Sequence, residues 1–277
     1  MNILLATPLY TAEWDSGHFV LRALQQLGHQ VAVWDYRLDR YWPVQFTFDA
    51  TIVLQGDGID PDAMRLPRPR ILWHFEVLGE MVDTAEAVRG YDKVFVMSYQ
   101  NTAPGVEWLP GAYDTNIHRH DPNAIATWRT LYVGTANSEE KVAWVSQIQP
   151  QGIIGNGWSQ FGINALPPMY GPQLAQVVSH ANIALNFLRR PGVGPNRKLF
   201  ELVPCAFTLT EHAEGIEQIL GSALAEKVSF STAGEARELI RHYALHPEER
   251  QPVWEMEQNA LRRFTYADRV SHLLDGV

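Results

Sequence analysis

Short unbroken apolar runs alternate along this chain with stretches whose apolar residues recur every three or four positions. The first run, Asn2–Ala6, reads as a strand, and Thr7 to Asp15 as a long loop. Ser16–Leu27 then puts Phe19, Val20, Ala23, Leu24 and Leu27 on one helical face, and Gly28 follows as a C-cap. Gln30–Trp34, Ala50–Leu54, Arg70–Trp73, Lys93–Met97 and Val106–Leu109 are further apolar runs bounded by turn formers. Strands apolar along their whole length, alternating with helices, predict a parallel sheet covered on both faces.

The pattern breaks at Pro110–Asn123, a polar stretch with proline and glycine that reads as a linker. It then restarts. Arg129–Val133, Gly152–Ile154, Ala181–Leu188 and Ala206–Leu209 read as strands, and Ser138–Gln147, Gly171–His180, Asn196–Val203 and Ala233–His246 as helices. Gly215–Leu220 and Val228–Ser231 continue the series, and two helices after Pro247 close it. The expected organisation is two α/β domains, 1–115 and 116–277, the second carrying the closing helices. Doubly wound sheets bind ligands beyond the carboxyl ends of their strands, so two such domains face to face would hold a ligand in the cleft between them.

Composition narrows the class. The chain has 277 residues, 46% of them hydrophobic, and no apolar run reaches the length of a membrane span. The first residues carry no basic region and read as a strand rather than a leader peptide. Cys205 is the single cysteine, so an internal disulfide and a cysteine-built zinc site are both out of reach. These features predict a soluble cytoplasmic protein. A net charge of −9 argues against non-specific polyanion binding, though a local basic cleft remains compatible with it.

The stretch from Gly194 to Glu211 carries the densest chemistry. Glycine and proline lead into a helix start that groups Asn196, Arg197, Lys198 and Glu201 within about one turn. Cations beside free backbone N–H groups suit a phosphate, with Arg189 and Arg190 just upstream. A carboxylate one turn on can accept bonds from hydroxyls. Phosphate and polyol together suggest a nucleotide sugar. The same residues would also serve as a solvated helix face with i, i+4 pairs. Gly134, Thr135 and Lys141 lie on a strand–loop–helix junction, either an ordinary turn or part of the site. Trp158, after Gly155-Asn156-Gly157, either stacks on a base or belongs to the core.

Ordered marks then point to a family. They are Tyr132-Val133-Gly134, Ile154-Gly155-Asn156-Gly157-Trp158, Tyr170-Gly171, Ala181-Asn182-Ile183-Ala184-Leu185-Asn186, Asn196-Arg197-Lys198-Leu199-Phe200-Glu201 and Cys205-Ala206-Phe207-Thr208-Leu209-Thr210. The tail adds His246-Pro247-Glu248-Glu249-Arg250 and Phe264-Thr265-Tyr266-Ala267-Asp268-Arg269-Val270. From about Tyr91 onward the chain resembles the GT-B glycosyltransferases, most closely the CgeB-like spore-maturation branch; Ser16-Gly17-His18 and Leu27-Gly28-His29 resemble GT-B openings less closely. The resemblance implies two Rossmann-like domains facing across a cleft, a nucleotide-sugar donor held mainly by the second, and a ribose contact at Glu201. A related branch has a second, sugar-contacting glutamate where this chain has Val193, which leaves the donor sugar open. The family works without a catalytic metal, so neither metal nor cofactor is expected beyond the nucleotide sugar as co-substrate.

Without a metal, cations and backbone N–H groups must meet the charge on the leaving diphosphate. The candidates are Arg189, Arg197 and Lys198. A base for an inverting transfer would come from the first domain, from Asp15, His18, His74 or Glu76 at its strand ends. Each has a structural alternative; Asp15 and His18 can simply cap the first helix. The acceptor is open among small molecules, glycans, proteins and nucleic acids. Rival readings on the same fold are a nucleotide-sugar epimerase and a non-catalytic nucleotide-sugar-binding or interaction protein.

Overall fold

The computed structural model describes residues 1–8, 14–39, 41–43, 45–56, 58–75, 88–99, 104–188 and 193–277. Contacts divide the chain into two units, residues 1–111 with 265–277, and residues 112–264.

The first unit is built on six parallel strands: β1 (Asn2–Ala6), β2 (Gln30–Trp34), β3 (Ala50–Leu54), β4 (Arg70–His74), β5 (Lys93–Val96) and β6 (Val106–Trp108). Their spatial order is β2-β1-β3-β4-β5-β6. Pairing β1 to β3 in the middle of the sheet requires crossovers, as in doubly wound folds. Residues 3–6, 52–54 and 71–73 are almost wholly buried, which explains why these strands read as unbroken apolar runs. Helix α1 (Ser16–Gln26) starts at Asp15, whose carboxylate accepts the Gly17 N–H at 2.5 Å, and it buries Phe19, Val20, Ala23 and Leu24.

The second unit holds five parallel strands: β7 (Leu131–Val133), β8 (Gly152–Ile154), β9 (Ala184–Asn186), β10 (Thr208–Glu211) and β11 (Ser229–Phe230), in the order β11-β10-β9-β7-β8. The helices are α2 (Glu139–Ile148), α3 (Gly171–Ser179), α4 (Arg197–Leu202), α5 (Ile216–Leu220), α6 (Ser222–Val228), α7 (Ala233–Leu245) and α8 (Pro247–Leu261). Leu131, Val133, Ile154, Leu174, Val178, Ala184 and Leu202 form one buried cluster between sheet and helices.

The last helix, α9 (Tyr266–Leu273), groups with the first unit rather than with the residues before it. Tyr266 stacks on Phe19 with ring centroids 5.1 Å apart and meets Trp73 edge-on. The expected boundary, after residue 115 with the closing helices in the second domain, therefore differs from the observed division. An amphipathic helix declares that it will pack, not against which sheet.

Three local departures have physical reasons. β10 begins at Thr208, not Ala206, because Cys205 and Ala206 still donate to Leu202 O in the turn after α4. β9 is shorter than its apolar run because Ala181 makes only an isolated bridge to Trp128. The stretch expected as a linker is packed: Asp114, Ile117 and His118 are buried, and Tyr113 donates to Phe264 O at 3.0 Å.

Candidate functional site

In the second unit the loops that follow β7 and β8 are fastened to one another by the sequence itself. Gly134 N donates to Ile154 O, and Ala136 N to Asn156 O, both at 2.9 Å. Gly155 has φ +144°, and a Cβ there would run into the carbonyl oxygen of Gly134. Only glycine lets these two backbones approach so closely. Trp158 closes the arrangement by donating its indole N–H to Gly134 O at 2.8 Å. Its ring is 1% exposed and sits edge-on to Tyr132, which in turn stacks on Phe187. Of the two alternatives the sequence offers for Trp158, the structure places the ring in the core, where its indole holds the Gly134 loop in place. Thr135 is exposed and Lys141 half-buried on the same junction, where the Ser138 hydroxyl caps α2 by accepting Lys141 N–H at 3.2 Å. Lys141 Nζ donates to Asn137 Oδ1 at 2.7 Å.

Helix α4 brings the predicted cations together. Asn196 joins the loop after β9 to the helix start: its Oδ1 accepts Leu199 N–H at 3.3 Å and its Nδ2 donates to Phe187 O at 2.8 Å. Arg197 Nε lies 2.8 Å from Glu201 Oε1, and Lys198 Nζ lies 2.5 Å from Glu201 Oε2. The carboxylate is 4% exposed, whereas the two cations keep 28% and 23% of their side chains in solvent. Burial alone would raise the Glu201 pKa, but Arg197 and Lys198 outweigh it and hold the carboxyl at about 2. Burial also pulls the Lys198 ammonium below its usual value, against the pull of Glu201. With Glu201 ionised beside it, the cluster is two cations on one anion, a net positive patch with its carboxylate underneath. The helix is a single short element, so its own dipole adds little; the side-chain charges supply the field.

His118 lies within the stretch that reads as a linker, and the structure places it 1% exposed within the electrostatic reach of Glu201, Lys198 and Arg197. Burial keeps its pKa below the usual imidazole range. Because Nδ1 accepts the Asp114 N–H at 3.0 Å, the neutral ring carries its proton on Nε2. Burial likewise pushes the Cys205 thiol up, and its Sγ donates to Glu201 O at 3.3 Å, so this cysteine is a packing residue rather than a nucleophile.

Two polar groups here escaped the sequence reading. Glu211 ends β10; burial raises its pKa, and its Oε2 accepts Leu188 N–H at 2.7 Å. It shares a narrow pocket with Ser138, Lys141, Phe187 and Leu188. Asn186 ends β9, donates to Thr210 Oγ1 at 2.9 Å, and leaves its buried Oδ1 without a hydrogen-bond partner among the described residues. A polar residue closing an apolar strand is the one signal that would have found both.

In the first unit Asp15 takes the structural role, capping α1. His18, one turn on, has a buried Nδ1 with no hydrogen-bond partner among the described residues. His74 ends β4, is 6% exposed, and directs Nδ1 at the Gln55 carbonyl, which assigns the proton to Nδ1 and leaves Nε2 as the basic nitrogen. Glu76, Arg189 and Arg190 lie outside the described residues.

Residues 140–275 match a family model described as glycosyl transferase-like. A search of the curated proteins finds no match. Among solved structures, the chain is similar to T4 phage BGT in complex with its UDP-glucose substrate, at TM-score 0.65 and 10% identity over 99% of this chain and 100% of that one. It is similar to sucrose-phosphate synthase from Thermosynechococcus elongatus at TM-score 0.71 and 10% identity, over 98% and 97% of the two chains. Anabaena HepE in complex with UDP gives TM-score 0.68 and 13% identity, over 99% of each chain. The two parallel sheets with closing helices are thus the GT-B fold that the sequence predicts, and the family match agrees with a glycosyltransferase. No helix among the described residues is long and apolar enough to cross a membrane.

Proposed function

We propose that this chain is a glycosyltransferase that moves a sugar from a nucleotide diphosphate donor, UDP-linked, to a hydroxyl acceptor, and that it does so without a catalytic metal. The observation that carries the proposal is the Arg197–Lys198–Glu201 cluster, which lies inside the segment matching the glycosyl transferase-like family. Two structural neighbours, described in complex with UDP-glucose and with UDP, support the choice of nucleotide. Among the transferases of this fold, the CgeB-like branch is the proposed relative, on the ordered marks from Tyr132 to Val270. A cytoplasmic setting belongs to the same proposal.

In the transfer, the bond from the anomeric carbon to the diphosphate oxygen breaks and a bond to the acceptor oxygen forms. The diphosphate leaves with the electron pair, and the acceptor proton passes to a base. Arg197 and Lys198 meet the growing charge on the leaving group, the arginine as a planar guanidinium and the lysine as a point charge. Glu201 orients both cations; the expected ribose contact would use the second lone pairs of its oxygens, since each oxygen already accepts from a cation. For the base we take His18 or His74 over Asp15, whose carboxylate is committed to the cap of α1.

Calorimetric titration with UDP and a panel of UDP-sugars tests this. We expect saturable binding that is lost in Arg197→Ala and Lys198→Ala. Absence of binding to any nucleotide or nucleotide sugar overturns it. Binding with a change of sugar stereochemistry and no transfer moves the reading to an epimerase.

A further inference from the structure

The tail motif His246-Pro247-Glu248-Glu249-Arg250 has no part in the donor chemistry above. Arg250 ties it to the body of the second unit by donating to Asn182 Oδ1 at 3.2 Å. The rest faces solvent at the corner where α7 ends and α8 begins. His242 occupies the last turn of α7 and His246 follows four positions on, which sets the two imidazoles side by side, tilted, with centroids 4.9 Å apart. Glu248 and Glu249 sit in the first turn of α8. His242 Nε2 is 3.0 Å from Glu249 Oε2, and His246 Nδ1 is 3.2 Å from Glu248 Oε1. One ligand atom from each of His246, Glu248 and Glu249 lies within 4.8 Å of the others.

We propose that His242, His246, Glu248 and Glu249 form a binding site for a borderline divalent ion such as zinc, which clamps α7 to α8. An ion with bonds of about 2.0–2.1 Å holds its tetrahedral ligands about 3.3 Å apart. The two nitrogen–oxygen separations are close to that spacing; His246, Glu248 and Glu249 already offer three ligand atoms within 4.8 Å of one another, and His242 joins them through Glu249. Two imidazoles with two carboxylates select zinc over magnesium or calcium, which take oxygen ligands. The acids alone would be explained by the positive end of α8. Two histidines spaced to share one face with them are not.

Binding of the ion to the folded state alone raises its melting temperature. The test is a zinc titration of the intact protein against a chromophoric chelator, with thermal unfolding recorded in zinc and in magnesium. We expect one equivalent of zinc, a rise of about 5 °C at a hundredfold excess over Kd, and no rise with magnesium. His242→Ala and Glu249→Gln, both at exposed positions, should each weaken binding at least about tenfold while circular dichroism is unchanged. Failure to bind zinc overturns the proposal. So does equal affinity in both variants, which would mean an adventitious ion on other histidines. UDP-sugar binding is expected to survive chelation, so this outcome and that of the donor site are read separately.

Discussion

Lys198 Nζ lies 2.5 Å from Glu201 Oε2 on one turn of α4, and Arg197 Nε closes on the other oxygen at 2.8 Å. The acid is buried beneath the two bases it pairs with. Its negative charge sets their geometry, and their exposed sides carry the field outward.

Glu201→Gln should be strongly destabilised at neutral pH and hardly at all in acid. The folded carboxyl is held at about 2 against an ordinary value of 4.5, so its contribution is present above about pH 4.5 and lost as pH falls toward 2. That shift corresponds to about 3 kcal/mol at neutral pH. Urea melts of parent and variant from pH 7 to pH 2.5 should converge. A gap that stays constant would show that the carboxylate charge is not what matters.

Glu257 has the opposite sign. It is buried on α8, Oε2 accepts Thr208 N–H at 3.1 Å, Oε1 has no partner among the described residues, and burial lifts its pKa well above the ordinary value. A raised folded value means stability is full below about pH 4.5 and declines as pH rises. Glu257→Gln keeps the acceptor and removes the ionisation. Melting temperatures should therefore move in favour of the variant between pH 5 and pH 8; parallel curves would refute the buried neutral acid.

Loop fastening can be probed at Gly155 and Trp158. Gly155→Ala brings a Cβ against the Gly134 carbonyl at a backbone angle that L-residues rarely adopt, and should cost more than about 2 kcal/mol. Trp158→Phe leaves the Gly134 oxygen without its indole partner, at about 1–3 kcal/mol. Weaker UDP binding in Trp158→Phe, measured where the variant is fully folded, would show that loop position matters for the donor.

The two histidines of the first unit separate by kinetics. If His18 is the base, His18→Ala should lower kcat about a hundredfold or more with KM for the donor little changed. The same loss in His74→Ala instead would move the role to the imidazole whose Nδ1 faces Gln55 O.

Much of this was legible in the sequence. Apolar runs marked the strands because parallel strands are buried on both faces, and residues 194–201 announced their own cluster because three-residue and four-residue spacings on a helix create neighbours without help from the rest of the fold. What could not be read is what depends on distant partners. Trp158 reaches Gly134 across the loops, His118 is buried because its polar segment packs as part of the second unit, and Glu211 meets Leu188 from a neighbouring strand. Local pattern also gives no address for an amphipathic helix, and α9 shows it.

Helix α9 completes the first unit from the far end of the chain, through Tyr266 on Phe19. During synthesis residues 112–264 have all been made before that partner exists. The second unit can therefore fold first, while the first waits with the α9-facing side of α1 uncovered until residue 273 has been added. Of the two units, the one whose strands come earlier in the sequence is the later to be completed.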